Sequence, residues 1–196
     1  MTTSAQLEDS DDGAPTTGDR LYALPVAIGA HTALLAALLA TGGSLWMSEV
    51  WGWIPCELCW YQRIFMYPLT IVLLVGILRG DRRTYLTALP LAIVGALIST
   101  YHYLIQTTDI FPPPMCKNGI SCATDYINIV GPLSFLKVPL FALTAFVIII
   151  IFSVVVALFD AEDDAPQPFR WDAARVTAVA TTVIVAGGWL IGKALA

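Results

Sequence analysis

Cys56 and Cys59 stand three residues apart in the stretch WIPCELCWYQRIFMYP, and Arg63 follows four residues after the second of them. Thiols this close can form and break a disulfide, and the reacting species is the thiolate. A helix N-terminus and a nearby cation both favour that anion. A second pair, Cys116 and Cys122, lies in FPPPMCKNGISCATD. These four are all the cysteines of the chain, and each falls in or beside one of two loops between apolar runs. Cysteines acting only as small hydrophobes would be expected within those runs as well. Pairing inside each loop, Cys56 with Cys59 and Cys116 with Cys122, is the expectation, although four cysteines allow three connectivities.

Three chemistries use such a set. Two structural disulfides could brace the loops, but the small ring closed by CxxC is a poor brace. Four thiolates could bind zinc, but on an oxidising face they would be consumed by disulfide formation, so no metal is expected. A redox relay fits best, because CxxC at the start of a helix is built for thiol–disulfide exchange. Arg63 strengthens that reading. At about 100° per residue it sits only about 40° around the helix from Cys59, within reach of that sulfur or of a molecule beside it. Its alternative role is to snorkel to the headgroups. In STYHYLIQTTD, His102 and Gln106 share one helix face at i, i+4. Together with Arg63 they predict a polar pocket suited to the oxygens of a quinone, with Trp60, Tyr61, Phe65 and Tyr67 as candidate walls. An interfacial histidine and an aromatic belt are the plainer explanations.

What must position these groups is a membrane bundle. Hydrophobic residues make up 57% of the chain and charged ones 13%, with a mean hydropathy of +0.73. A soluble domain of this size could not hide that apolar surface. Five runs are long enough to cross about 30 Å of hydrocarbon: 21–47, 60–79, 84–105, 134–159 and 173–195. Each is continuously apolar rather than alternating, which predicts helices and not barrel strands. The fold class expected is therefore an all-α integral membrane protein. Residues 1–20 and 160–172 are acidic and read as disordered, solvated segments. Arg79, Arg82 and Arg83, in the short loop between the second and third runs, mark the cytoplasmic side. The N-terminus then faces the cytoplasm of a cell-membrane protein, and both cysteine loops face the oxidising exterior.

The stretches PCELCWYQRIFMYP, YHYLIQ and CKNGISCATDYINIVGPLSFLKVPLFALTAF resemble the disulfide bond formation protein B (DsbB) family, especially its BdbC-like thiol–disulfide oxidoreductases. The resemblance covers about residues 21–159 and implies a four-helix membrane domain. It implies an enzyme that reoxidises a thioredoxin-fold DsbA/BdbD-like oxidase and passes the electrons to a membrane quinone of the ubiquinone or menaquinone type. By this resemblance Cys56 and Cys59 are the quinone-proximal pair, Arg63 the quinone-interacting arginine, and Cys116 and Cys122 the pair that exchanges with the partner. His102 and Gln106 match the polar pair on the third helix and are assigned with Arg63 to the cofactor.

Two departures stand out. Enteric members separate the loop cysteines more widely, whereas only five residues lie between Cys116 and Cys122, as in the BdbC-like branch. Residues 173–196 have no counterpart in a four-helix pattern and are expected to form an extra helix, packed through the small residues of AGGWLIG. A vitamin K epoxide reductase-type protein is the nearest enzymatic rival, but there the CxxC follows the loop pair. The non-enzymatic rival is a membrane scaffold with structural disulfides. No nucleic-acid partner is expected.

Overall fold

The computed structural model describes residues 17–108, 120–127, 133–160 and 171–195, without the side chains of 17–27, 82, 159–160, 171–174 and 195. Five helices account for most of them: α1 (Thr17–Glu49), α2 (Glu57–Arg79), α3 (Tyr85–Thr107), α4 (Val138–Asp160) and α5 (Trp171–Leu195). Each expected run coincides with a helix, and all five are long and apolar enough to cross a membrane. Helix α1 starts earlier than expected, so residues 17–20 belong to it rather than to the tail. The rest of that tail, and 161–170 of the acidic loop, lie outside the described residues.

These segments are helical because hydrocarbon offers no partner to an unpaired backbone group. Their ends are marked by local chemistry. Gly80 closes α2 with φ of 71°, the left-handed conformation glycine adopts without a Cβ penalty, and its N–H returns to the carbonyls of Gly76 and Ile77. Asp81 then accepts the N–H of Arg83 at 2.9 Å and turns the chain into α3. Pro68 and Pro90 lie within α2 and α3, both of which continue past them.

Helices α1 to α4 pack in cyclic order, each on its sequence neighbours, with α4 closing against α1. The core is made of Leu34, Leu69, Phe146 and Ile149, set against alanines 37, 88 and 92. Small residues let the helices approach closely, as membrane packing requires when lipid competes for apolar contact. Gly95 of α3, for example, leaves room for the Phe146 ring. Thr70 ties α2 to α1, with its Oγ1 2.9 Å from that of Thr41. Large apolar side chains such as Leu97 and Leu158, each 65% exposed, point outward. In water that surface would be an aggregation liability, and in a bilayer it is solvated. The chain is a multi-pass membrane protein.

Helix α5 lies outside the four, against α1 and α2. Its contact stripe is Ala178, Val185 and Gly192, seven residues apart; Val185 meets Gly42, and Gly192 faces the ring of Trp46. Gly187 and Gly188, expected to mediate that contact, have nothing within 4 Å because they lie off the stripe. Lys193 pairs with Glu49 at 3.3 Å, which sets the last turn of α5 at the same end of the bundle as the CxxC loop.

Candidate active site

The CxxC pair is held by the first turn of α2. Cys56 is the N-cap, with extended backbone (φ −69°, ψ 171°), and its sulfur accepts the N–H of Cys59 at 3.3 Å. A cysteine thus fills the place usually taken by Ser or Asp. The two sulfurs, both thiols, are 2.9 Å apart, with Cys56 donating. That hydrogen bond, together with burial, pushes the Cys56 thiol up to about 12. Cys56 therefore keeps its proton while Cys59 acts as acceptor.

His102 on α3 joins this pair to the second cysteine loop. It is 1% exposed, and its Nε2 lies 3.7 Å from Cys56 Sγ and 3.1 Å from the carbonyl oxygen of Cys122. On the other side of the ring, Nδ1 is 3.1 Å from Nε2 of the buried Gln62. A carbonyl can only accept, so the proton belongs on Nε2, and Nδ1 accepts from Gln62. Gln106, one turn further, donates to the carbonyls of both Cys122 and Thr124 at 3.1 Å. The sulfurs of Cys56 and Cys59 and a ring nitrogen of His102 lie within 4.8 Å of one another and could bracket a soft metal ion. A metal ligand needs a bare nitrogen, however, and the Cys122 carbonyl requires Nε2 to be protonated.

Cys59 faces the other way, into a cavity of about 450 Å³ between α1, α2 and α4. Arg63 shares it, with Nη2 donating to the carbonyl of Ser44 on α1 at 2.8 Å and its guanidinium 5.3 Å from the centre of the Trp60 ring. Apolar groups, among them Met66, Ala145 and Phe146, form most of the wall. Of the four aromatics expected there, Tyr67 lines the cavity, Trp60 and Tyr61 are more than half exposed, and Phe65 packs on the core. Trp53 and Tyr126 line it as well, their rings stacked 5.0 Å apart at 18°.

A match to the family described as "Disulfide bond formation protein DsbB" covers residues 27–159, helices α1 to α4 and both cysteine loops. The chain belongs to the DsbB family. Among relatives, "Disulfide bond formation protein C" of Bacillus subtilis is 46% identical over 123 residues, 62% of this chain and 87% of the relative. A "Probable disulfide formation protein C" of Halalkalibacterium halodurans is 43% identical over 124 residues, 62% and 88%. A "Probable disulfide formation protein" of Oceanobacillus iheyensis is 43% identical over 117 residues, 59% and 79%. No solved structure matches the chain significantly. Helix α5 lies outside the matched region. This DsbB-family member is a membrane oxidoreductase of disulfide bonds.

Within the family's domain, the arrangement departs from the sequence expectation on α3 as well as in the aromatic walls. His102 and Gln106 do not line the cavity with Arg63; they hold the segment that carries Cys122. Their i, i+4 register established a shared face but not what that face meets. Cys116 lies outside the described residues, and Cys122 is buried. Sequence reasoning missed Gln62, three residues after Cys59 and so on nearly the same face, which the register applied to Arg63 could have found. It also missed Ser44, Trp53 and Tyr126, which carry no local pattern and become functional candidates only through tertiary contact.

Proposed function

We propose that this DsbB-family member reoxidises an extracytoplasmic thioredoxin-fold oxidase of the DsbA/BdbD kind and passes the electrons to a membrane quinone. The observation that carries the reading is that the two thiols of one CxxC face different surroundings. Cys59 opens on the cavity shared with Arg63, whereas Cys56 is turned toward His102 and the Cys122 segment. In this reading one cysteine exchanges with protein thiols and the other meets a small molecule.

The cavity suits a quinone. Its volume falls within the range of about 300–1,000 Å³ usual for small-molecule sites, and a mostly apolar wall with few polar groups is the usual composition. Arg63 has five donor N–H groups, and one is directed to Ser44, which leaves others for a carbonyl oxygen. A bound quinone would supply an acceptor of two electrons and two protons.

The chain's own residues supply the rest. The partner's dithiol attacks the disulfide of the second pair at Cys116; the partner becomes a disulfide and the pair becomes two thiols, so electrons and protons balance. Cys122 then attacks Cys56, forming an interloop disulfide and releasing Cys59 as the thiolate beside the cavity. Attack by Cys116 on Cys122 re-forms the second pair and leaves Cys56 reduced. His102, donating from Nε2, fixes the Cys122 backbone beside Cys56. Arg63 places positive charge near Cys59.

The proposed orientation sets both cysteine loops outside. Arg79 ends α2 opposite the CxxC, with Arg82 and Arg83 just beyond it, and basic short loops remain on the cytoplasmic side. The test is quinone reduction by the purified protein in lipid, supplied with a reduced thioredoxin-fold partner. One quinol should form per partner disulfide. Oxidation of the partner with no quinol formed would overturn the reading.

A further inference from the structure

The described part of the second loop, residues 120–127, has no regular structure of its own, so its position depends on side-chain attachments. Three exist. His102 and Gln106 hold the carbonyl of Cys122 from α3. Asp125 pairs with Lys137, just before α4, at 3.1 Å, and its other oxygen accepts the N–H of Ile127 at 3.1 Å. The third attachment runs to the first loop. Tyr126 donates its hydroxyl to the carbonyl of Ile54 at 2.6 Å and stacks its ring on Trp53. Burial raises the Tyr126 hydroxyl above its ordinary value, so it remains a donor throughout the physiological range.

The position of this contact in both loops is informative. Ile54 lies two residues before Cys56, and Tyr126 lies four residues after Cys122. Tyr126 therefore joins the two cysteine-bearing segments directly. Among the described residues, Tyr126 is also the one member of the second loop that lines the cavity beside Cys59 and Arg63.

We propose that Tyr126 is a positioning residue that docks the second loop on the first and, by the same contact, closes the outer wall of the cavity. With the loop docked, Cys122 is held for exchange with Cys56 and the cavity has its full wall. A partner protein that draws the loop away must break the stack on Trp53 and the bond to Ile54, and so opens the cavity while the second pair reacts outside. Inward transfer and outward exchange thereby become alternatives set by one side chain. The cavity half of this proposal rests on the quinone reading above, and the docking half does not.

The experiment uses the full-length protein, prepared free of quinone, with the second pair reduced and Cys56–Cys59 oxidised. Transfer between the pairs is followed by acid quench and mass-tag alkylation. Tyr126→Ala should slow that transfer about tenfold while the partner still exchanges with the second pair at the wild-type rate or faster, which also shows that the variant is folded. Tyr126→Phe keeps the stack and should recover most of the rate, and Trp53→Ala should reproduce the Tyr126→Ala defect without adding to it. In a separate assay with a soluble quinone, Tyr126→Ala should raise the apparent KM. Wild-type transfer in Tyr126→Ala, or a Phe variant as defective as Ala, would overturn the proposal. If the wild-type protein reduces no quinone yet Tyr126→Ala slows transfer, the quinone reading fails and docking stands.

Discussion

His102 Nε2 stands 3.1 Å from the carbonyl oxygen of Cys122, twenty residues further along the chain. The same nitrogen is 3.7 Å from Cys56 Sγ, so one buried imidazole touches both cysteine segments. Attack of a thiolate on a disulfide needs three sulfurs nearly in line, and flexible loops would rarely present them so. A histidine fixed from behind by Gln62 reduces that search.

Substitution of His102 separates this role from cofactor binding. A hydrogen bond of this kind is worth about 0.5–1.5 kcal/mol, which corresponds to at most about a tenfold change in rate. His102→Ala should therefore slow transfer from the second pair to Cys56–Cys59 by up to about tenfold, leaving the apparent KM for quinone unchanged. Quench-and-alkylate kinetics measure the first and steady-state quinone reduction the second. A raised KM with normal transfer would return His102 to the cofactor role that its sequence register suggested.

Arg63 bridges Ser44 on α1 and the cavity beside Cys59, a task for a planar fork of donors. Arg63→Ala should raise the apparent KM for quinone about tenfold or more, since hydrogen bonds to charged groups are worth about 1.5–3 kcal/mol. Arg63→Lys, with charge but no fork, should rescue only partly. Partner exchange with the second pair should be unaffected in both variants. Unchanged quinone kinetics in both would leave Arg63 as a membrane-interface anchor.

Gly43 lines the cavity, and a Cβ built there meets nothing within 4 Å. A larger side chain can grow into the space without displacing the core, and leucine also favours the helix. Gly43→Leu should block quinone reduction while the thermal midpoint in detergent stays at or above the wild-type value. Wild-type quinone kinetics in this variant would show that the cavity is not the quinone site.

The helices were legible because the constraint that forms them is the simplest one present: a backbone in hydrocarbon must bond to itself, and α4 shows it as a span of mean hydropathy 3.0. CxxC near a helix start was equally legible, since Pro55 and a loop precede an apolar run; that Cys56 itself is the N-cap was not. The register of Arg63 on Cys59 could be counted, yet its contact with Ser44 on α1 could not. The contact of His102 with the Cys122 carbonyl could not be counted for the same reason. Periodicity gives the angle of a side chain about its own helix, but not which neighbour stands there. Tyr126, in an irregular loop, offered no period at all.

Packing between α3 and α4 depends on the absence of one methyl group. A Cβ on Gly95 would run into the ring of Phe146, which is fully buried and cannot swing aside. Overpacking of this kind costs about 1–3 kcal/mol. Gly95→Ala should lower the thermal midpoint in detergent by several degrees, and Phe146→Leu in the same chain should recover part of the loss. A midpoint unchanged by Gly95→Ala would mean that the two helices can separate at no cost.

The last prediction concerns the two cysteine pairs, to which the proposed function gives different partners. Cys116 and Cys122 lie in FPPPMCKNGISCATD, the pair proposed to exchange with the partner protein. Cys56, in contrast, is buried against His102, and Cys59 opens on a cavity bounded by helices. A protein thiol should thus meet the second pair first. Removing the resolving thiol of an exchanging pair traps the mixed disulfide. Cys122→Ser should accumulate a covalent complex between Cys116 and a thioredoxin-fold partner, detected as a shifted band on a non-reducing gel and located by peptide mapping. Cys56→Ser should trap none, because its second pair retains both thiols and can resolve the partner. In the reduced wild-type protein, Cys56 keeps its proton up to about pH 12, so iodoacetamide at pH 8 should modify Cys59 well before Cys56. Recovery of the partner on Cys56 or Cys59, and never on the second pair, would reverse the proposed direction of electron flow.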